Sequence, residues 1–340
     1  MNVQQTTYAN SRSRVWRYVA LAALIVVPVL VWPDFVIDGL TFSLLGLVAV
    51  SPLVVPGILL TAWIMASGAD RIISRAFEGR LLRAIVAASL IGAITPVCGV
   101  TILPLMVGLL AAGVPLAPVM AFWLSSPVTD PAMLATTAAT LGLAFAIGKT
   151  VAAFGLGLFG GAVTVAVSRQ YVVGGVLRTR GLASDLATGS CCGAAAFEPR
   201  IWREQERRSA FYRQAKATTR LILICLIPAF FAEYALNAML TPGSLAQYVG
   251  ADKWWAIPAT VIVGAPAYID GYAALPLTRA LVDNGMSPGA AMAFLVSGGV
   301  VSIWGALAIF PVLKLRPFLL YLALAVSGSV MAGYVFGWVV

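Results

Sequence analysis

Between Arg83 and Arg169 the sequence holds two charged side chains, Asp130 and Lys149. In a soluble domain roughly a quarter of the residues carry charge, so a stretch this long and this apolar needs a lipid solvent. The rest of the chain agrees: of 340 residues, 61% are hydrophobic and 10% charged, and the mean hydropathy is +0.94. The apolar runs are continuous, which excludes the period-two alternation of a membrane β-barrel. At about 20 residues per crossing, the chain is expected to be an all-α integral membrane protein with about eight to ten membrane-embedded segments.

The remaining charge sets orientation. Ten of the 22 basic residues fall between Ser168 and Arg220. By the positive-inside rule that segment is cytosolic, as are the N-terminus with Arg12, Arg14 and Arg17 and the amphipathic stretch Asp70–Arg83. The net charge of +9 therefore points to a multi-pass protein of a bacterial inner membrane, N-terminus cytosolic and in contact with anionic lipid, and not to a nucleic-acid partner. The run Tyr18–Trp32 reads as an uncleaved first helix. Pro33, Asp34 and Asp38 read as a short loop, and Leu40–Ala66 as a second helix with kinks at Pro52 and Pro56. The expected regions are N-terminal helices with a surface segment (1–80), a first membrane repeat (81–167), a basic cytosolic loop (168–216), and a second repeat with a final helix (217–340).

Sliding the sequence by 172 residues places Ile85–Ser125 on Ile257–Ser297 without a gap, and 14 of 41 positions are identical. Leu103-Pro104-Leu105 falls on Leu275-Pro276-Leu277, Met120-Ala121-Phe122 on Met292-Ala293-Phe294, and Gly92 on Gly264. The first copy is entered from the basic, cytosolic side and the second one crossing later, from the opposite side. The expectation is therefore two inverted repeats with broken or re-entrant helices, the pattern of secondary transporters whose site lies where the breaks face each other. Pro96, Pro104, Pro115, Pro118, Pro127 and Pro131 leave little room for uninterrupted 20-residue helices between Leu81 and Val167.

Within the aligned breaks, Cys98 and Asp270 occupy equivalent positions, each followed by glycine, and Asp130 stands beside a further break. A charge near the bilayer centre costs at least about 2.5–3.5 kcal/mol, so such residues usually face a cavity and carry function. Asp270 and Asp130 are the candidates for cation or proton coupling, since no histidine is present to carry protons or ligate metal. Asp130 also has the spacing of a cap for a helix starting at Pro131. Cys98 is either a soft ligand or a small packing residue. Glu233 and Arg279 are read as pairing or lining a path, and Lys149 and Asp283 as interfacial charges that snorkel. Vicinal Cys191 and Cys192 form a weak candidate for a soft metal ion. Cys225 reads as packing, and four cysteines so placed suggest no disulfide framework. Gly155, Gly157, Gly160 and Gly161 read as a close-packing helix face.

The residues around the breaks, Thr95-Pro96-Val97-Cys98, Pro104, Gly108-Leu109, Ala112-Gly113-Val114-Pro115, Phe122 and Ser126-Pro127, resemble the ArsP-type organoarsenical efflux permeases and the wider predicted permease family. The second half is similar at Tyr268, Pro276, Gly285–Ala290 and Phe294-Leu295. The resemblance implies permease activity and adds Thr95, Ser126 and Tyr268 to the site residues. Val100 and Asp270 stand where the family often has cysteines, and Asp130 where it has asparagine. Together those exchanges remove soft ligands and add acids, which suits a harder cation, an organic cation, or proton-coupled export.

Three functions compete. A proton-coupled permease exporting a small solute or ion leads, because no Gly-x4-Gly-Lys-Ser/Thr nucleotide loop is present. A channel-like ion pathway is the alternative. An intramembrane aspartyl protease would use Asp130 and Asp270, but neither stands in a Gly-x-Gly-Asp context, and no enzyme is expected. No cofactor is expected, and a homo-oligomer is one open choice for the assembly.

Overall fold

A computed structural model describes residues 32–69, 81–95, 103–111, 114–129, 131–168, 176–178, 197–239, 255–264, 274–301, 306 and 309–340. Among these the fold is helical: α1 (Pro33–Ser67), α2 (Leu81–Ile94), α3 (Leu103–Ala111), α4 (Leu116–Ser125), α5 (Pro131–Leu141), α6 (Leu143–Ser168), α7 (Gln205–Met239), α8 (Ala256–Gly264), α9 (Ala274–Asp283), α10 (Pro288–Val300) and α11 (Leu315–Val339). The helices α1, α6, α7 and α11 contain segments long and apolar enough to cross a membrane, and α2, α4 and α10 are shorter apolar helices. This is a multi-pass helical membrane protein.

Three expectations change. Pro33, Asp34 and Asp38 belong to the opening turns of α1, not to a loop. Proline at the first helical position lacks only an N–H that would be orphaned anyway, and Asp34 complements the helix dipole there. The helix continues through Pro52 and Pro56 to Gly68, which closes it in the left-handed conformation (φ 78°). Secondly, α6 runs uninterrupted for 26 residues in the region expected to be broken throughout. Thirdly, the basic loop expected to run to residue 216 ends earlier: α7 begins at Gln205, so the polar residues before Arg220 form its amphipathic first turns.

The helix boundaries repeat at the interval found in the sequence. The first residues of α1 and α7 are 172 apart, as are those of α4 and α10 and those of α6 and α11. Equivalent helices also pack on each other in opposite directions. Phe35, at the start of α1, meets Phe231 and Tyr234 near the end of α7. At the other end Arg207, in the first turn of α7, donates from Nη1 to Ser67 O (3.1 Å) and Ala66 O (3.4 Å) of α1. Arg207 thereby caps the last carbonyls of α1 with a cation, while its Nε donates to Glu204 at 2.7 Å. Around this end Ala62, Ala66, Ile201, Ala210 and Phe211 form a small separate core.

The pair α6 and α11 is antiparallel in the same way. Phe145, near the start of α6, stacks on Phe336 near the end of α11 (4.8 Å), and Leu156 fills the space beside Gly328. Gly157 faces Ser89 and the Ala121 carbonyl, Gly160 faces Leu124, and Gly161 faces Ile85 and Ala121, so these three glycines let α6 approach α2 and α4 closely. Gly155 has nothing within 4 Å of where a Cβ would stand and is not part of that face. A short strap, Val176–Arg178, pairs with the segment before α11, with Leu177 opposite Leu313. Arg178 N donates to Val312 O at 2.9 Å, Lys314 N to Val176 O at 3.0 Å, and the Arg178 guanidinium lies 4.6 Å from the Phe310 ring centroid.

Candidate functional site

The helices α4 and α10 have ten and thirteen residues, about 15 and 20 Å of helix. Neither length reaches across a hydrocarbon core of about 30 Å. Each lies beside the helix that opens its copy, running in the same direction. Gly92 of α2 faces Ser125, and Ile85 and Ala88 cluster with Ala117 and Ala121. In the second copy Gly264 of α8 faces Ser297, where a Cβ on the glycine would stand 2.6 Å from Ser297 Oγ, and Gly289 faces Ile257. Gly92 and Gly264, like Ser125 and Ser297, are equivalent positions of the repeat. Each serine hydroxyl is turned back onto its own helix. Ser125 Oγ donates to Ala121 O (2.9 Å) and Ser297 Oγ to Phe294 O (3.1 Å), so the pair acts by size.

The C-terminal ends of α4 and α10 meet. A Cβ on Gly299 would stand 2.6 Å from the Pro127 carbonyl oxygen and 3.6 Å from Val128 Cα. Pro127 and Gly299 are again 172 residues apart, so the copies touch through equivalent positions, as they do at Leu156 and Gly328. A helix leaves its last four carbonyls without intrahelical donors and carries about half a negative charge at that end. Two such ends converging in a buried place favour a cation.

Donors gather at this junction. The buried Tyr321 hydroxyl donates to Val300 O at 2.5 Å, and its ring lies 5.3 Å from that of Trp123. Trp123 is 1% exposed, and its Nε1 has no hydrogen-bond partner among the described residues. A buried N–H left unsatisfied costs about 1–3 kcal/mol, which native structures rarely tolerate without a use. The α6 position equivalent to Tyr321 is Lys149. It is 2% exposed, and its Nζ stands 2.8 Å from Met133 Sδ in the first turn of α5. The snorkelling expected of Lys149 is thus overturned, because it lies on the packed face of α6 between Phe145, Ala146 and Ala153, all buried.

The other expectations fall as follows. Thr95 ends α2 half-buried and donates from Oγ1 to Ile91 O at 2.5 Å, a local back-bond. Ser126 is buried directly after α4, its N–H donating to Phe122 O at 3.0 Å. Because α2 and α4 run in one direction, both sit at the same end of that pair. Arg279 pairs with Asp283 at 3.0 Å on an exposed turn of α9. Glu233 and Cys225 lie on α7, their side chains outside the description. Cys98, Asp130, Tyr268, Asp270, Cys191 and Cys192 lie outside the described residues. Sequence reasoning missed Trp123 and Tyr321. An apolar helix containing Trp or Tyr signals packing, and what marks these two is the polar tip buried at a helix end.

A family model described as a predicted permease, ArsP_1, matches residues 39–338. The chain belongs to the ArsP_1 family of predicted permeases. The match covers both copies of the repeat, so the junction of α4 and α10 lies inside the permease region. A UPF0718 protein of Methanocaldococcus jannaschii is 31% identical over 142 residues, 42% of this chain and 39% of that protein, so the chain spans about two fifths of the length of this curated relative. No solved structure matches this chain.

Proposed function

We propose that the chain is a secondary transporter built as two inverted repeats, carrying a small solute or ion across the membrane with proton coupling. The observation that carries the proposal is the convergence of the C-terminal ends of α4 and α10 at Pro127 and Gly299, equivalent positions of the two copies. Helices too short to span and ending face to face are what an alternating-access site at a repeat interface requires. The antiparallel packing of α1 on α7 and of α6 on α11 supports the inversion. The two converging dipoles support a cationic cargo or coupling ion. In this reading α4 and α10 are membrane-embedded half-helices.

Asp130, which directly precedes α5, and Asp270, in the second break, supply the coupling carboxylates. Cys98, Thr95, Ser126 and Tyr268 complete the site, and Glu233 lines an approach to it. The end holding Ser67 and Gln205 faces the cytosol, since exposed Arg203, Arg208, Arg213, Lys216 and Arg220 gather there. The membrane is then a bacterial inner membrane, with anionic lipid and a second copy of the chain as partners to test. Arsenicals are among the cargo classes proposed, a choice that the resemblance to organoarsenical permeases supports. The exchange of cysteines for acids places organic and hard metal cations beside them, with Cys191 and Cys192 as an accessory soft-ion site.

The test is a resistance and uptake screen in a sensitive host across organoarsenicals, divalent metals and organic cations. The proposal expects protection against at least one class, lost on Asp130→Asn or Asp270→Asn. Protection that survives both substitutions, or protection against none of the classes, contradicts it.

A further inference from the structure

The antiparallel contacts of α1 and α7 fix which residues of the two helices share a height. Gly39 faces Phe231 and Gly46 faces Phe230, while at the far end Ala62 and Ala66 cluster with Ala210 and Phe211. On α7 the stretch Leu221–Met239 holds one charge, Glu233, and is about 28 Å long, close to the hydrocarbon thickness of about 30 Å. On α1 the membrane-crossing segment at that height is Pro33–Pro52. Val54–Ser67 of α1 and Gln205–Arg220 of α7 therefore stand beyond the hydrocarbon together, on the side where the basic residues gather.

This projecting hairpin has two unlike surfaces. On α7, Arg208, Tyr212, Lys216 and Arg220 recur at intervals of four and are all exposed, so they form one stripe along the helix. Arg208 is hydrogen-bonded to the neutral Gln205 side chain. Glu204 is committed to Arg207 at 2.7 Å, which leaves Glu206 as the acid of these first turns. On α1, at the height of the stripe, Val55, Leu59 and Leu60 are 49%, 47% and 55% exposed. Water suits the bases and not the leucines, and hydrocarbon suits the leucines and not the bases. The boundary layer, where headgroup phosphates meet acyl chains, suits both. Trp202 and Tyr212, each exposed and packed edge to face on Phe211, add the amphipathic rings that favour that layer.

We propose that the projecting parts of α1 and α7 form a binding surface for anionic phospholipid of the cytosolic leaflet. Headgroup phosphates lie along Arg208, Lys216 and Arg220, and acyl chains cover Val55, Leu59 and Leu60. Zwitterionic lipid offers the same chains but no net charge to the stripe, so the surface selects phosphatidylglycerol over phosphatidylcholine. The choice of leaflet rests on the orientation given above; the affinity for anionic lipid rests neither on it nor on the transport cycle.

The test follows Tm of the full-length protein in a neutral detergent as phosphatidylglycerol, phosphatidylcholine or glycerophosphate is added. Phosphatidylglycerol is expected to raise Tm, and the other two are not. The triple variant Arg208→Gln, Lys216→Gln, Arg220→Gln is expected to keep its lipid-free Tm, because all three residues are exposed, and to lose most of the shift. Arg83→Gln with Arg316→Gln, exposed bases outside the hairpin, keeps the shift. If the triple variant does not fold, Lys216→Gln alone is read in its place and shows a smaller shift than the unsubstituted protein. An equal shift with glycerophosphate makes this a free-anion site and overturns the lipid assignment. An equal shift with phosphatidylcholine overturns the selection by charge, and an undiminished shift in the stripe variants overturns the location. Leu59→Ser with Leu60→Ser reduces the shift if acyl chains lie there, and an undiminished shift removes them from α1. Orientation is read separately by trypsin, which is expected to cut near Arg203 and Arg208 in inside-out vesicles. Cleavage in right-side-out vesicles instead overturns the cytosolic leaflet, and with it the orientation used for the transporter reading, while the detergent result stands.

Discussion

The carbonyl oxygen of Pro127 lies against Gly299 so closely that a Cβ on the glycine would stand 2.6 Å away. The two residues are 172 positions apart, the interval at which the sequence aligns on itself. Gly299→Ala drives a methyl group into backbone that has no rotamer with which to yield. The expected loss is about 1–3 kcal/mol, the usual cost of overpacking, read as a lower Tm in detergent. Gly155→Ala is the matched control. It too is a half-buried helical glycine, but nothing lies within 4 Å of the added carbon, and the expected change is neutral to about 1 kcal/mol stabilising.

The equivalent glycines Gly92 and Gly264 give a sharper comparison. Alanine at either position collides with the facing serine. In the second copy Ser297→Ala removes the 2.6 Å contact and leaves Phe294 Cδ2 at 3.2 Å and Phe294 O at 3.4 Å, so Gly264→Ala with Ser297→Ala recovers most of the lost Tm. In the first copy Phe122 O remains 2.9 Å from the new Cβ, so Gly92→Ala with Ser125→Ala stays destabilised. Equal rescue in both copies would contradict this account of the two contacts.

Arg207 joins α1 to α7 at the end rich in basic residues. Arg207→Met removes the donors to Ser67 O and Ala66 O and the 2.7 Å pair with Glu204. A loss of about 1.5–3 kcal/mol is expected for charged hydrogen bonds to a side chain this buried. Limited proteolysis should then cut near Ser67–Gly68 at a higher rate than in the unsubstituted protein.

Tyr321→Phe deletes the donor to Val300 O while keeping the ring contact with Trp123. It is expected to cost about 1 kcal/mol or somewhat more, since the carbonyl is left buried. Trp123→Phe removes an N–H that has no partner among the described residues and costs packing alone. If the indole N–H instead serves the cargo, Trp123→Phe lowers transport by more than its effect on Tm accounts for. The uptake screen reads this as a loss of rate at unchanged protein level.

Much of this architecture was legible in the chain. The scarcity of charge between Arg83 and Arg169 decided the membrane class. The match of Ile85–Ser125 with Ile257–Ser297 announced a period that the helix boundaries then extended to α1 and α7 and to α6 and α11, where little residue identity survives. The glycine face of α6 was right at Gly157, Gly160 and Gly161 because small residues spaced by about one turn share a face. What failed did so for physical reasons. Asp34 and Asp38 beside Pro33 looked like a loop, although acids and proline also favour a helix start. The first turns of α7 are polar because they stand beyond the apolar window, and hydropathy cannot see a helix there. Lys149 was misplaced because nothing local separates a lysine that snorkels from one that is buried; only the packing of α5 on α6 does.

In the proposed function, acids at the paired breaks couple transport to protons. Its most direct measurement is proton entry into pyranine-loaded proteoliposomes containing the unsubstituted protein, Asp130→Asn or Asp270→Asn, under an imposed gradient and with the cargo class that the uptake screen identifies. The account predicts cargo-dependent proton movement in the unsubstituted protein and its loss in each variant. Cargo transport with no accompanying proton movement, or proton movement that neither substitution alters, would contradict it.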